Sequence, residues 1–179
     1  MFKKENIYYL AIHWLGLLSL VVDPVFATGE IPDGFAWTQS PRQAFYFVTD
    51  AEIDDYTLVE GEDWIGAFYG DACIGSRTWN GSPTDIPVMG LHEDYPATQN
   101  YIIPGEVPRF VIYDASEDSY YDAQVDYDPL EGDLAFTGGM LEIHSIDKLR
   151  VEMDCDGNLG APDGDPYLDD CSVCSEGDS

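Results

Sequence analysis

Basic side chains are what this sequence most conspicuously lacks: seven Lys and Arg stand against 35 Asp and Glu over 179 residues, for a net charge of −28. A protein that binds nucleic acid by neutralising phosphates is excluded by that balance. The same field repels anionic membrane surfaces. Histidine is nearly as scarce, and only His92 and His144 lie beyond residue 27. No G-x-S-x-G nucleophile elbow and no H-E-x-x-H metal helix occurs. Carboxylates are so abundant that no pair is marked out as a glycosidase acid and base. The chain is therefore expected to be non-catalytic. Bound divalent cations, or a salty medium that screens self-repulsion, would each make the negative charge tolerable.

A sustained helical period is also missing. No window repeats its apolar residues at 3.6-residue spacing over three turns, and Gly and Pro interrupt the chain too often for long helices. What is present from about Gln43 to Ile146 is a series of short apolar runs broken by turn residues. "QAFYFVTD", "DWIGAFYG", "ACIGSRTW", "IPVMG", "YIIPG", "PRFVIYDA", "SYYDAQVDY" and "MLEIHSI" each read as a strand, rich in β-branched and aromatic residues. Gly70-Asp71 suits a tight primed turn between two of them, and Ala115 to Asp118 form a polar turn between two more. Alternation puts Phe110 and Ile112 on one face and Val111 and Tyr113 on the other. Repeated hairpins with nothing helical to cover them predict an all-β fold, an antiparallel β-sandwich, over residues 28–150.

The two ends are different in kind. Residues 1–27 carry Lys3 and Lys4, an apolar run from about Ile7 to Val22, and then Val25-Phe26-Ala27. These are the charged, apolar and cleavage regions of a secretory signal peptide. The run is too short and too interrupted by His13 and Asp23 for a comfortable membrane span. The expected location is extracellular or at the cell surface. Export makes Cys155, Cys171 and Cys174 disulfide candidates rather than zinc ligands. With Cys73, four cysteines permit three full connectivities; Cys73, in an apolar segment, reads either as a buried free thiol or as the partner of the odd tail cysteine.

After Arg150 the composition breaks. Residues 151–179 are dominated by Asp, Gly and Cys, with too little apolar surface to order themselves, so disulfides or a metal must hold them if anything does. Calcium takes six to eight oxygen ligands. Asp154, Asp156 and Asn158 alternate with Cys155 and Gly157, Asp163 and Asp165 repeat the spacing across Gly164, and Asp169-Asp170 precede Cys171. The Gly and the closing Glu of an EF-hand loop are absent. A solvated acidic linker stapled by a disulfide is the alternative reading.

The stretch "DCDGNLGAPDGDPYLDDCSVC" resembles one unit of the Asp/Cys-rich repeats of secreted and surface proteins of marine bacteria, which commonly run D-C-x-G-x-x-G-G-x-A-x-x-D-D-C-G-V-C-x-G. These are similar in kind to thrombospondin type 3 calcium repeats. "VTDAEIDDYTLVEGEDWIGAFYGDACIGSRTW", "IPVMG" and "GEVPRFVIYDASEDSYYDA" resemble a module that often precedes such repeats, so the resemblance spans roughly residues 43–179. Ser172 and Ser175 stand where the repeats usually carry Gly, and the "APDGDPYL" spacer is longer. The resemblance implies a modular adhesive or scaffolding context, calcium at the acidic positions, other modules of the same or a neighbouring surface protein as partners, and a chain that is a fragment of a longer one. Cys155 joined to Cys171 or Cys174 would close the loop around the ion.

Two further features bear on function. Trp64, Trp79 and Tyr69, with Tyr120 and Tyr121, could stack on sugar rings, which makes a carbohydrate-binding module the rival expectation; large aromatics more often fill cores or cross-strand pairs. Asp50, Glu52, Asp54 and Asp55 crowd together as a second cation site or an exposed turn.

Overall fold

The apolar runs fold as strands. The structure, a computed structural model, describes residues 30–130 and 132–152. Its strands are β1 (Gln43–Ile53), β2 (Tyr56–Thr57), β3 (Trp64–Tyr69), β4 (Ala72–Thr78), β5 (Thr84–Met89), β6 (Arg109–Asp114), β7 (Ser119–Asp126) and β8 (Glu142–Val151). A single turn of 3-10 helix, Pro96–Thr98, is the one helical element among the described residues. Residues 1–27, read in the sequence as a signal peptide, and residues 153–179 of the acidic segment lie outside them.

The all-β expectation holds, but the sheet is mixed rather than antiparallel. The strands follow the order β2-β1-β8-β7-β6-β3-β4, and β5 pairs with β1 on the edge it shares with β2. Every pairing is antiparallel except that of β1 with β8, which runs parallel from Ala44↔Glu142 to Ile53↔Val151. Hairpin patterns could not reveal this, because the two strands are joined by no tight turn and meet across almost the whole domain. "YIIPG" is not a strand either. Ile102 makes one isolated bridge to Gly90, and Pro104, with no N–H to offer a ladder, follows two residues later. β8 in turn continues past the expected Ile146 to Val151.

Local turn chemistry explains the hairpins. Tyr69 pairs with Ala72 across Gly70-Asp71, and Gly70 supplies the positive φ of +57°. Asp114 pairs with Ser119 across the four-residue turn Ala115 to Asp118. Between β1 and β2 the two-residue loop Asp54-Asp55 has φ of 48° and 66°, the left-handed pair of a primed turn that short polar residues tolerate.

Inside the curl lies one core. Tyr46, Val48 and Ala51 of β1 meet Ile65 and Ala67 of β3, Ile74 of β4, Ile86 and Val88 of β5, Phe110 and Ile112 of β6, and Ile146, Leu149 and Val151 of β8. Each fully buried large aliphatic or aromatic side chain contributes about 1.5–3 kcal/mol. Alternation breaks once, and it breaks in both partners of the parallel pair. β1 buries positions 44, 46 and 48 and then 51; β8 buries 146 and then 149 and 151. Thr49-Asp50 and Asp147-Lys148 face away at the same level, so the two strands change phase together.

Where the curl brings its two margins together, β4 crosses β5 at bare backbone. A Cβ on Gly75 would sit 1.6 Å from the Pro87 carbonyl oxygen and 2.6 Å from its carbon. Beside this contact Arg77 donates from Nε to the Asp85 carbonyl at 3.0 Å and pairs with the Asp85 carboxylate at 2.6 Å. Glycine at 75 is thus what lets the sheet close.

Candidate functional site

On β3, β6 and β7 the residues that alternate away from the core form an outer face with its own register. Trp64 pairs with Tyr113 and Tyr113 with Tyr120, so three aromatics lie in one row across three strands. The next row is Gly66, Val111 and Asp122, and beyond it stand Phe68 and Arg109. The segment preceding β1 crosses this face. Phe35, fully buried, lies over Gly66, where a Cβ would come within 2.6 Å of its ring. Its ring meets Phe68 at 5.5 Å, Tyr120 at 5.7 Å and Tyr113 at 6.4 Å between centroids. The Phe35 carbonyl accepts from Ser76 Oγ at 2.9 Å and Cys73 Sγ at 3.3 Å. This arm, which carried no pattern in the sequence, is what turns the outer face into a site.

The result is an open depression of about 340 Å³ bordered by Asp33, Phe68, Arg109, Val111, Tyr120 and Asp122. Tyr120 is 44% exposed. The Arg109 guanidinium lies 5.2 Å over the Phe68 ring and is ion-paired to Asp122. Tyr113 donates from its hydroxyl to Asp118 at 2.9 Å. That hydrogen bond, with burial and nearby carboxylates, raises the Tyr113 pKa. Burial and the charges of Asp33 and Asp118 raise that of Tyr120. Both phenols therefore stay neutral donors. An exposed aromatic ring beside an Arg–Asp pair offers an apolar shelf with polar groups at its rim, a set suited to a polyhydroxylated ligand.

The three aromatics singled out as glycan contacts do not form one platform. Trp64 joins the outer row, half-buried. Tyr69, at the far end of the same strand, packs against the core. Trp79 is 2% exposed and belongs to the core, so it offers no face to a sugar. Tyr121 points inward and donates to Glu117 at 2.8 Å. Tyr120, together with Tyr113, shares the outer face with Trp64. Phe68, Arg109 and Asp122 were not singled out in the sequence; period-2 alternation from Tyr120 to Asp122 and from Arg109 to Tyr113 is the signal that could have joined them.

The acidic cluster on β1 resolves into an ion pair and a turn. Lys148 Nζ lies 2.8 Å from Glu52 and 3.1 Å from Asp50. The hydrogen bonds to Glu52 and Asp50 raise its pKa. A lysine ammonium therefore stands where a second cation was considered, and Asp54 and Asp55 form the β1–β2 turn. Among the described residues no group of three or more His, Cys, Asp and Glu gathers to hold a metal. Asp154, Asp156, Asn158, Asp163, Asp165, Asp169 and Asp170, and the cysteines Cys155, Cys171 and Cys174, lie outside the described residues.

The remaining titratable groups hold the structure together. His144 stacks on Tyr46 at 4.4 Å and 15°, with Nδ1 2.7 Å from the Asp133 carbonyl and Nε2 3.4 Å from Glu142. The buried Tyr46 hydroxyl donates to the Leu134 carbonyl at 2.7 Å, and burial, then the charges of Glu142 and Asp133, push its pKa up. Burial also pushes the Glu142 carboxyl up, but hydrogen bonds from Thr137, Gly139 and His144 outweigh it and hold the pKa below the ordinary glutamate value. His92 accepts at Nδ1 from the Asp94 N–H at 3.2 Å and packs edge-on against Tyr95. Cys73 is buried with no disulfide partner among the described residues, and burial pushes its thiol up to about 11.

Comparison with protein-family models, with curated proteins and with solved structures finds no match to this chain.

Proposed function

We propose that this chain is a non-catalytic adhesion or scaffold module, exported by its first 27 residues and extended by an acidic segment at 151–179 that binds calcium. The observation that carries the reading is the polarity of β1 and β8. Because β1 and β8 run parallel and side by side, β1 begins at one pole of the domain and β8 ends at the other. At about 3.3 Å per residue the ladder sets those poles roughly 30 Å apart. A domain anchored through these two strand ends spaces whatever is attached to each. In this reading the curled sheet works as a sandwich, with β5-β1-β8 facing β4-β3-β6 around the shared core. Calcium bridges carboxylates of the tail that otherwise repel, and a disulfide from Cys155 to Cys171 or Cys174 closes the loop. Its partners are other surface modules rather than nucleic acid or anionic membrane.

The test is thermal unfolding of the oxidised chain with calcium, then with excess chelator, against magnesium and a matched monovalent series. A site at a hundred times its dissociation constant adds about 2.7 kcal/mol. The shift is expected to be calcium-specific and to vanish when Asp154 and Asp156 become Ala. Equal shifts from every salt would mean screening alone and would sink the calcium reading.

The open shelf at Tyr120 favours a second reading, a carbohydrate-binding module. The rings of Tyr113 and Tyr120 are inclined at 44°, and so form a bent rather than flat platform. A soluble polysaccharide panel added to the same melts decides it: this reading requires a shift that Tyr120→Ala removes, and no shift with any polysaccharide rejects it.

A further inference from the structure

The parallel ladder has a consequence beyond spacing. Once the arm ahead of β1, which Phe35 holds on the outer face, is drawn off, tension along the chain pulls β1 from its first residue toward one pole and β8 from its last residue toward the other. The two strands are therefore loaded in opposite directions along their shared axis. Inter-strand hydrogen bonds lie across that axis. Sliding must strain all nine register pairs from Ala44↔Glu142 to Ile53↔Val151 together. In a peeling geometry the same bonds would break one at a time.

Side chains reinforce the ladder at both ends and in the middle. Near one end the register partners Tyr46 and His144 stack ring on ring. Near the other, Lys148 reaches across to its partner Asp50 and to Glu52. Past the last pair, the Asp54 N–H donates to the Val151 carbonyl at 2.8 Å. Between them Val48 packs with Ile146, and Ala51 with Leu149, inside the core. The shared change of phase adds a stop. A slip of one residue would turn core side chains to the solvent. A slip of two would set the phase change of one strand against the regular alternation of the other. On their other sides β5 and β2 hold β1, and β7 holds β8 from Lys148 to Arg150, so the far half of the ladder is flanked by strands on both sides.

We infer that the β1–β8 ladder is a mechanical clamp, and that bearing tension along the chain is a function of this domain. The clamp needs neither calcium in the tail nor sugar at the outer face.

Single-molecule pulling of the full chain tests it, with handles on clickable amino acids at exposed positions so that one protein is loaded in two directions. Handles at 41 and 152 shear the ladder; handles at 41 and 141, at the same pole, peel it. At one loading rate the sheared protein is expected to unfold at a force several times that of the peeled one. Equal forces, or a weaker sheared protein, would overturn the clamp. Lys148→Met supplies a second readout, because Lys148 lies at the pole far from where peeling starts. It is expected to lower the shearing force and leave the peeling force unchanged. An equal loss in both directions would make Lys148 a general stabiliser and count against the clamp.

Discussion

Gly75→Ala is the sharpest perturbation of this fold. The added methyl would stand 1.6 Å from the Pro87 carbonyl oxygen, about half of a normal contact, and 2.6 Å from its carbon. Those atoms are backbone in a strand that pairs with β1 over six registered residues, so they cannot rotate away as a side-chain tip would. Overpacking a tight interior costs about 1–3 kcal/mol, occasionally more, and a backbone collision belongs at the upper end, at about 3 kcal/mol. For a domain of roughly 120 residues each kcal/mol moves the melting temperature by about 3–6 °C, so the expected fall is roughly 9–18 °C. Gly70→Ala is the control. Unlike Gly75 it stands at positive φ, +57°, but a Cβ there meets nothing within 4 Å. Its cost is the local strain of a left-handed residue, about 1–2 kcal/mol. Thermal melts measure both, and amide exchange localises the damage, which is expected in β4 and β5 first. A Gly75→Ala protein melting within about 3 °C of the parent would refute the close crossing of β4 over β5, and with it the closed curl of the sheet.

Two further predictions concern single side chains. Glu142 has its pKa held below the ordinary value, so the stabilisation it gives is present above the unfolded-state pKa and is lost as pH falls through the folded one. Glu142→Gln is expected to cost about 1–2 kcal/mol near neutral pH, and urea titrations should show the gap from the parent closing in acid; a gap constant down to about pH 3 would refute the role. Cys73, with its thiol near 11, should hold about a hundredfold less thiolate at pH 8 than an ordinary cysteine and react with alkylating agents only on unfolding. Site-resolved mass spectrometry measures this, and native-state labelling at the rate of a free thiol would contradict the buried placement.

Much of the strand inventory was legible in the residues because it rests on local rules. The runs at "QAFYFVTD", "DWIGAFYG" and "PRFVIYDA" carry β-branched and aromatic residues between turn formers, and they fold as β1, β3 and β6. Gly70-Asp71 and Ala115 to Asp118 close hairpins because the chain has only a few residues in which to reverse. "YIIPG" satisfied the same rules and still failed, since a strand also needs a neighbour along its length and Ile102 found only a single bridge. The candidate site was half legible. Trp64 and Tyr120 could be named, but nothing local distinguished Trp64 from Trp79, one facing outward and the other sealed in the core. Phe35 sat in a stretch with no period at all, yet it is fully buried and shapes the outer face.

By itself the sequence determined the charge, the absence of long helices among the described residues, the positions of most strands and two of their turns, and the break in composition after Arg150. Those are properties of neighbouring residues, set by side-chain chemistry and by the few backbone angles each residue prefers. Only the tertiary structure decided that β1 and β8 run parallel, that Gly75 lets β4 cross Pro87, and that Lys148 takes the place between Asp50 and Glu52. Each of these joins residues far apart in the chain, and the direction in which two distant strands meet follows from closing one core around all of them at once.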